Sequence, residues 1–140
     1  MKILILLFFA LLVSCNSAGK LKITDTWFRP VIKGMNTALY FTIENNSYIP
    51  DTLYAVSSPI SGMVHIHETF VKDDMKGMRP VKHIVINPRS KVEFKPGGYH
   101  VMVMNVKEDF NLNSSAEFIL YFKQTGKIKI TTTANNYERN

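Results

Sequence analysis

The sequence predicts an all-β domain, folded as an antiparallel sandwich or barrel with Greek-key connections. From residue 21 onward, apolar residues recur at every second position, as they do in strands with one buried face. Clusters of Gly, Pro, Asn, Asp and Ser interrupt these runs at intervals of about 8 to 12 residues, a spacing typical of sandwiches and barrels. No amphipathic helical pattern competes with the strands. The fold class is therefore predicted as all-β, in a single domain.

Each predicted strand is a run of β-forming residues bounded by turn residues. The strongest runs are Leu-Tyr-Phe-Thr-Ile at residues 39–43 and Phe-Ile-Leu-Tyr-Phe at 118–122, both rich in aromatic and β-branched side chains. Prolines 50, 59, 88 and 96 fall in the gaps, where a missing N–H costs no ladder hydrogen bond. Polar residues and a glycine at 73–78 predict a loop. In chain order, the predicted strands are 21–28, 37–44, 52–57, 63–69, 80–86, 91–94, 99–105, 116–123 and 127–133.

Composition excludes several classes of protein. A single Cys among 140 residues cannot form an internal disulfide. No apolar run reaches the roughly 20 residues that a membrane-spanning helix needs. The net charge is +6, but Lys and Arg are scattered and form no basic run, so the charge is interpreted as a solubilising surface and no nucleic-acid partner is predicted. We find no nucleophile elbow, zinc-protease motif, paired carboxylates or phosphate loop, and predict that the protein is not an enzyme.

The amino terminus reads as a targeting segment. One Lys precedes an apolar stretch from Ile3 to Val13, which is too short to span a bilayer. The tetrapeptide Leu-Val-Ser-Cys at residues 12–15 resembles a bacterial lipobox, whose Cys is acylated and begins the mature chain. The predicted organisation is a lipoprotein signal peptide (1–14), lipidated Cys15 with a short tether (15–20), the folded domain (21–133) and a polar tail (134–140). An ordinary signal peptide with a Cys near its cleavage site is the alternative.

Histidine and methionine concentrate in one part of the chain, between residues 63 and 104. Residues two apart on a strand share a face, so each of two predicted strands offers a row of imidazole and thioether groups. The intervening predicted loop adds two further methionines. His83 and Met35 have no partner at ligand spacing and are interpreted as structural. The two rows and the loop contain Met63, His65 and His67; His100, Met102 and Met104; and Met75 and Met78.

This set of side chains favours copper among the biological metals. Thioether and imidazole are soft to borderline ligands that suit Cu(I), whereas zinc would recruit more His, Cys or carboxylate. Thioethers also resist disulfide formation, so they suit the oxidising compartment outside the cytoplasm. Each residue taken alone could instead be core filler or a surface histidine.

The spacing of four of these residues resembles the signature of a known family. Residues His67, Met78, His100 and Met102 fit the pattern H-x10-M-x21-H-x-M. This is similar to the motif of the periplasmic copper chaperones called PCuAC. His67 rather than His65 matches the first position, because it precedes Glu-Thr and satisfies the ten-residue gap. Further blocks match in the same order across about residues 21–133: Trp-Phe-Arg at 27–29, Asn-Thr-Ala-Leu-Tyr at 36–40, Met-Arg-Pro-Val at 78–81, and Pro-Gly-Gly-Tyr-His-Val-Met at 96–102.

The resemblance implies a cupredoxin-like fold and a function. It implies that His67, Met78, His100 and Met102 bind Cu(I). The other members of the rows and the loop, Met75, Met104, His65 and Met63, are auxiliary candidates from their position in this sequence. The protein would then be an extracytoplasmic chaperone, tied to a membrane by its lipid, that passes copper to an acceptor, typically the copper centre of a haem-copper oxidase. Two alternatives remain: a copper storage or resistance lipoprotein, and a structural envelope lipoprotein that binds no metal.

Overall fold

The computed structural model describes residues 21–136 and contains ten β-strands there. The predicted signal peptide, Cys15 with its tether, and residues 137–140 of the predicted tail lie outside the described residues. Within 21–136 there is no helix, and hence none long and apolar enough to cross a membrane. The strands are β1 (Leu21–Phe28), β2 (Thr37–Asn45), β3 (Asp51–Ser57), β4 (Met63–Lys72), β5 (Met75–Pro80), β6 (Ile84–Ile86), β7 (Ser90–Phe94), β8 (Tyr99–Met104), β9 (Ser115–Phe122) and β10 (Gly126–Thr133).

The strands form two sheets packed face to face. The larger sheet has the order β1-β2-β7-β8-β4-β5, and β2 pairs with β7 through one half of its length and with β8 through the other. The smaller sheet has the order β10-β9-β3-β6. The chain passes repeatedly between the sheets, so that strands distant in sequence become neighbours. The predicted all-β sandwich is confirmed.

The core lies between the two sheets and is rich in aromatic side chains. Phe28 is fully buried, with its ring 5.7 Å from that of Phe110 and 5.9 Å from that of Phe118, both edge-on. Phe41 stacks on Phe94 at 4.4 Å between ring centroids. Because alternate residues of each strand point inward to this core, the intervening residues of the larger sheet face outward.

Two strand predictions are wrong in the segment that follows β4. Residues 73–78 were predicted as a loop, but only Asp73 and Asp74 form the turn, and β5 follows at once. Both Asp residues have positive φ, at 49° and 62°, which is the conformation that a two-residue hairpin turn requires. The predicted strand 80–86 is divided: Pro80 ends β5 in the larger sheet, whereas Ile84 begins β6 in the smaller one. The chain changes sheets between them.

Asp51, at the start of β3, fastens the turn between β9 and β10. Its buried carboxylate accepts hydrogen bonds from the backbone N–H groups of Thr52, Gln124 and Thr125 and from the Thr125 hydroxyl, at 2.6–2.9 Å. Burial raises the pKa of this carboxyl, but the hydrogen bonds from Thr125, Gln124 and Thr52 outweigh burial and hold the pKa below its ordinary value. The ionised form is therefore favoured in the folded state.

Replacing Asp51 by Asn should destabilise the fold by about 1–3 kcal/mol at neutral pH, because hydrogen bonds to a buried charge are lost. A lowered folded pKa contributes stability above the unfolded value, near 3.9, and this contribution is lost as pH falls through the folded pKa. Urea unfolding at neutral and acidic pH measures both effects. A difference between wild type and Asp51→Asn that fails to shrink below about pH 4 would contradict this account.

Candidate metal centre

The two rows of His and Met lie on adjacent strands and face each other across them. Strands β4 and β8 are antiparallel, and directly opposed residues in such a pair project to the same side of the sheet. Ile66, Val101 and Val103, which alternate with the rows, are buried in the core, so the rows face outward. The paired residues form three rungs, here called the soft-ligand ladder: Met63 with Met104, His65 with Met102, and His67 with His100.

Met78 joins the ladder from the other side of β4. Strand β5 pairs with β4, and its register places Met78 opposite Thr69, which shares the outward face with His67. Met78 lies on the edge strand of the sheet with 56% of its side chain exposed. It was predicted on a flexible loop, and that placement is wrong, because the backbone hydrogen bonds between β4 and β5 fix its position.

Met75 is directed away from this group by the same register. It lies opposite Lys72 and three residues from Met78, an odd separation that puts the two thioethers on opposite faces of β5. His83 is exposed and lies outside the strands, and Met35 is exposed in the segment before β2. The structure therefore brings His67, His100, Met102 and Met78 onto one face, with His65, Met63 and Met104 farther along it, and leaves Met75 on the other.

The opposite face of the β4–β5 hairpin is held by side chains of its own. The Arg79 guanidinium lies 2.6 Å from the Glu68 carboxylate and 5.3 Å from the centre of the Phe70 ring. The same ring covers Gly77 so closely that a Cβ there would be 2.6 Å from its Cζ atom. Glycine is therefore required beneath the ring, and these contacts position the strand that carries Met78.

His100 presents one ring nitrogen toward the outward face without a partner. The side chain is only 4% exposed, and Nδ1 lies 3.1 Å from the carbonyl oxygen of Gly98. A carbonyl can only accept, so Nδ1 carries the proton and Nε2 keeps its lone pair. Nε2 is buried and makes no hydrogen bond. An imidazole oriented by a carbonyl on one nitrogen and free on the other is the arrangement typical of a metal ligand.

His67 offers a second nitrogen of this kind. Its Nδ1 is buried without a hydrogen-bond partner, and its ring centre is 5.8 Å from that of His100. Burial lowers the pKa of His67, and the neighbouring His100 and His65 lower it further, because a positive charge there would be desolvated and repelled. These causes favour the neutral imidazole, which is the form that binds a metal ion.

A hollow of about 400 Å³ opens beside these groups. Thr69, Met78, His100 and Met102 line one part of it, and Tyr40 lines another. The Arg29 guanidinium lies 5.8 Å from the centre of the Tyr40 ring, whose other neighbour is Trp27 at 4.5 Å. No role was predicted for these aromatic and basic residues; their only signal in the sequence was membership of the blocks that resemble the copper chaperones.

The donor set fits a soft metal ion. Across residues 21–136, no three His, Cys, Asp or Glu side chains come together in a way that could hold a metal ion. The groups that do share a face are imidazoles and thioethers, which suit Cu(I) and provide little for zinc, calcium or magnesium. The predicted copper preference is thus compatible with the side chains that the fold assembles.

Comparisons with known proteins agree with this fold. Residues 21–134 match the model of the family described as "Putative lipoprotein LpqE-like". An uncharacterized protein of Rickettsia prowazekii, RP573, is 32% identical over an alignment 116 residues long. That alignment covers 79% of this chain and 64% of that protein's length.

Two solved structures are also similar. A copper-bound PCuAC domain from PmoF2 has a TM-score of 0.70 and 27% identity, covering 84% of this chain and 93% of that domain. The solution structure of CuI-DR1885 from Deinococcus radiodurans has a TM-score of 0.66 and 24% identity, covering 88% of this chain and 85% of that one, and shows likeness of fold alone. The cupredoxin-like β-sandwich is confirmed, and relatives with this fold bind copper.

Proposed function

Since the chain belongs to the LpqE-like lipoprotein family and shares its fold with copper-bound PCuAC domains, we propose that it is a copper chaperone of the extracytoplasmic cell envelope. It binds one Cu(I) ion through His67, His100, Met78 and Met102. It then passes the ion to an acceptor protein by ligand exchange.

One observation carries this proposal: two buried imidazole nitrogens, Nδ1 of His67 and Nε2 of His100, lack any hydrogen-bond partner on a face that also presents thioethers. Buried polar atoms are nearly always satisfied, and an unpaired one costs about 1–3 kcal/mol. The rings that carry these two nitrogens are 5.8 Å apart, and a metal ion bound between them would give each nitrogen the partner that it lacks. The thioethers of Met102 and Met78 supply the remaining soft donors.

Copper(I) would be released by stepwise exchange of these neutral ligands. Met78 is the exposed donor on an edge strand, whereas His100 is buried and held by Gly98. We therefore expect an acceptor's ligand to replace the Met78 thioether first: one Cu–S bond breaks as a new bond forms, and the oxidation state of copper does not change. The hollow beside Met78 gives the incoming side chain access.

Replacing Met78 by Leu should weaken Cu(I) binding by about tenfold and speed its release, because it removes one thioether while conserving volume. Replacing Met75 by Leu is the matched control and should change neither quantity, since Met75 lies on the other face of β5. Anaerobic competition with a chromophoric Cu(I) chelator measures both variants. Equal effects of the two substitutions would contradict the assignment of Met78.

The same titration on the unaltered protein tests the proposed function itself. We expect tight binding of a single Cu(I) ion. Absence of tight Cu(I) binding would overturn the proposal and favour a structural envelope lipoprotein.

The pH dependence of Cu(I) affinity should follow the lowered pKa of His67. Because the pKa of His67 lies below 6.5, the ordinary value for histidine, protons should compete with copper for this imidazole at lower pH than for an unperturbed histidine. Competition titrations from about pH 8 to pH 5 measure this. Affinity that already declines between about pH 8 and 7 would contradict it.

The cellular parts of the proposal are lipid attachment through Cys15, after removal of residues 1–14, and delivery to a haem-copper oxidase or another copper chaperone. Metabolic labelling with a fatty acid should tag the wild type but not Cys15→Ala.

A deletion strain should lose oxidase activity and regain it with added copper. Normal oxidase activity combined with copper sensitivity would instead favour storage or resistance.

A further inference from the structure

The outer end of the soft-ligand ladder carries three donors that the four-ligand site does not use. Met63 lies opposite Met104, and His65 is the next outward-facing residue of β4. Met63 is 49% exposed, and His65 is also exposed, so neither side chain fills the core. Directly opposed Cβ atoms in an antiparallel pair are about 4.5–5.5 Å apart, and diagonal neighbours remain within reach of long side chains. Two thioethers and an imidazole are therefore available to one ion.

The backbone at this end is fixed on both strands by one side chain. The buried Ser61 hydroxyl accepts a hydrogen bond from the Met63 N–H at 3.0 Å, and its single hydrogen is shared between the carbonyl oxygens of Met104 and Met63. It thus ties the first residue of β4 to the last residue of β8. The two thioether side chains begin from anchored positions, which reduces the entropy lost when they bind an ion.

The two outer thioethers, Met63 and Met104, start too far from His67 to act in the same site, whereas the His65 ring lies between the two sites, 6.4 Å from the His67 ring. Met63 and His67 are separated by four residues, or roughly 13 Å along a strand. The rung between them, His65 with Met102, lies next to both ends. Two ions could therefore bind at the same time, with one rung linking their sites.

We propose that Met63, Met104 and His65 form a second, weaker Cu(I) site, from which copper moves to the site at His67 and His100 through the His65–Met102 rung. This proposal rests on the proposed function, because it takes the same ion as cargo. The outer site is weaker because it has three donors, two of them exposed. In the transfer to a free inner site, the thioether of Met102 first replaces one of the outer rung while the bond to His65 is retained. The bond to His65 then breaks as the imidazole of His67 or His100 binds, and copper remains Cu(I) throughout.

The experiment uses the full chain with ¹³C-labelled methionine methyl groups, titrated anaerobically with Cu(I). The first equivalent should shift the methyl signals of Met78 and Met102, and the second those of Met63 and Met104. Competition should show the second equivalent bound at least about 100-fold more weakly than the first. Saturation at one equivalent, or Met63 and Met104 signals unmoved by the second, would overturn the proposal.

Variants separate this proposal from the proposed function. The double variant Met63→Leu/Met104→Leu conserves side-chain volume and should bind only the tight equivalent, with unchanged affinity. His65→Gln should also weaken the second equivalent, whereas Met75→Leu and His83→Gln, which lie off the ladder, should not. A double variant that still takes up the second equivalent would refute the outer site. The primary site is tested separately: if His100→Gln loses the tight equivalent, the primary site is supported even when the outer site is refuted.

Discussion

Replacing His100 by Gln will weaken Cu(I) binding by at least about 100-fold, the largest effect expected of any single substitution in the site. Groups that merely orient a metal ligand are worth about 10–100-fold in affinity, so loss of the ligand itself should cost at least the upper end of that range. Nε2 of His100 is buried, unpaired and oriented through Nδ1 by the Gly98 carbonyl. A glutamine amide is a far poorer ligand for Cu(I) than imidazole.

The control for this prediction is His83→Gln, which removes an exposed histidine that lies outside the strands. Competition against a chromophoric chelator should give wild-type affinity for the control. Circular dichroism and urea unfolding of both variants check that the fold is retained. If His100→Gln keeps its fold and binds Cu(I) with wild-type affinity, the His100 imidazole is not a copper ligand.

Replacing Phe28 by Ala should destabilise the domain by about 3–5 kcal/mol, the largest stability effect expected. Phe28 is fully buried and contacts Phe110 and Phe118 through edge-on rings, so the truncation leaves a cavity between the two sheets. The free energy of unfolding of a domain is only about 5–15 kcal/mol, so this substitution removes a large part of it. Urea unfolding at constant m-value measures the change.

The matched control is Tyr54→Ala, an aromatic residue that is 46% exposed on β3. It should cost less, since nearly half of this residue is already exposed to water and its truncation leaves no cavity in the core. Because Phe28 lies in the core and is not one of the copper ligands, any Phe28→Ala protein that remains folded should still bind Cu(I). A destabilisation below about 1 kcal/mol would show that the core tolerates this cavity, contrary to its packing.

Local sequence signals predicted the fold class and most strands, because alternation of apolar residues reports which side of a strand is buried. They failed at 73–78, where Asp, Lys and Gly resemble a loop. Asp73–Asp74 is an unusual two-residue turn, for which Asn-Gly or Asp-Gly would be the recognisable signal. Residues 75–78 form a strand because they pair with β4 and because the Phe70 ring packs over Gly77. These contacts join residues that are not neighbours in the chain.

The rows of His and Met could be recognised in the sequence, but the pairing of the two strands that carry them could not. Period two places His100 and Met102 on one face of a strand, yet nothing local indicates that β4 and β8 are neighbours or that their register pairs His67 with His100. The same register separates Met78 from Met75, which spacing along the chain left undecided. The Gly98 carbonyl that orients His100 likewise depends on backbone geometry.

Copper K-edge X-ray absorption of the protein loaded with one equivalent of Cu(I) tests the four-ligand site most directly. Imidazole nitrogen and thioether sulfur scatter at different distances and with different strength. A site built from His67, His100, Met78 and Met102 gives a first shell of two nitrogens and two sulfurs, with one sulfur lost in Met78→Leu. A shell made only of nitrogen and oxygen, or one unchanged in both Met78→Leu and His100→Gln, would contradict it.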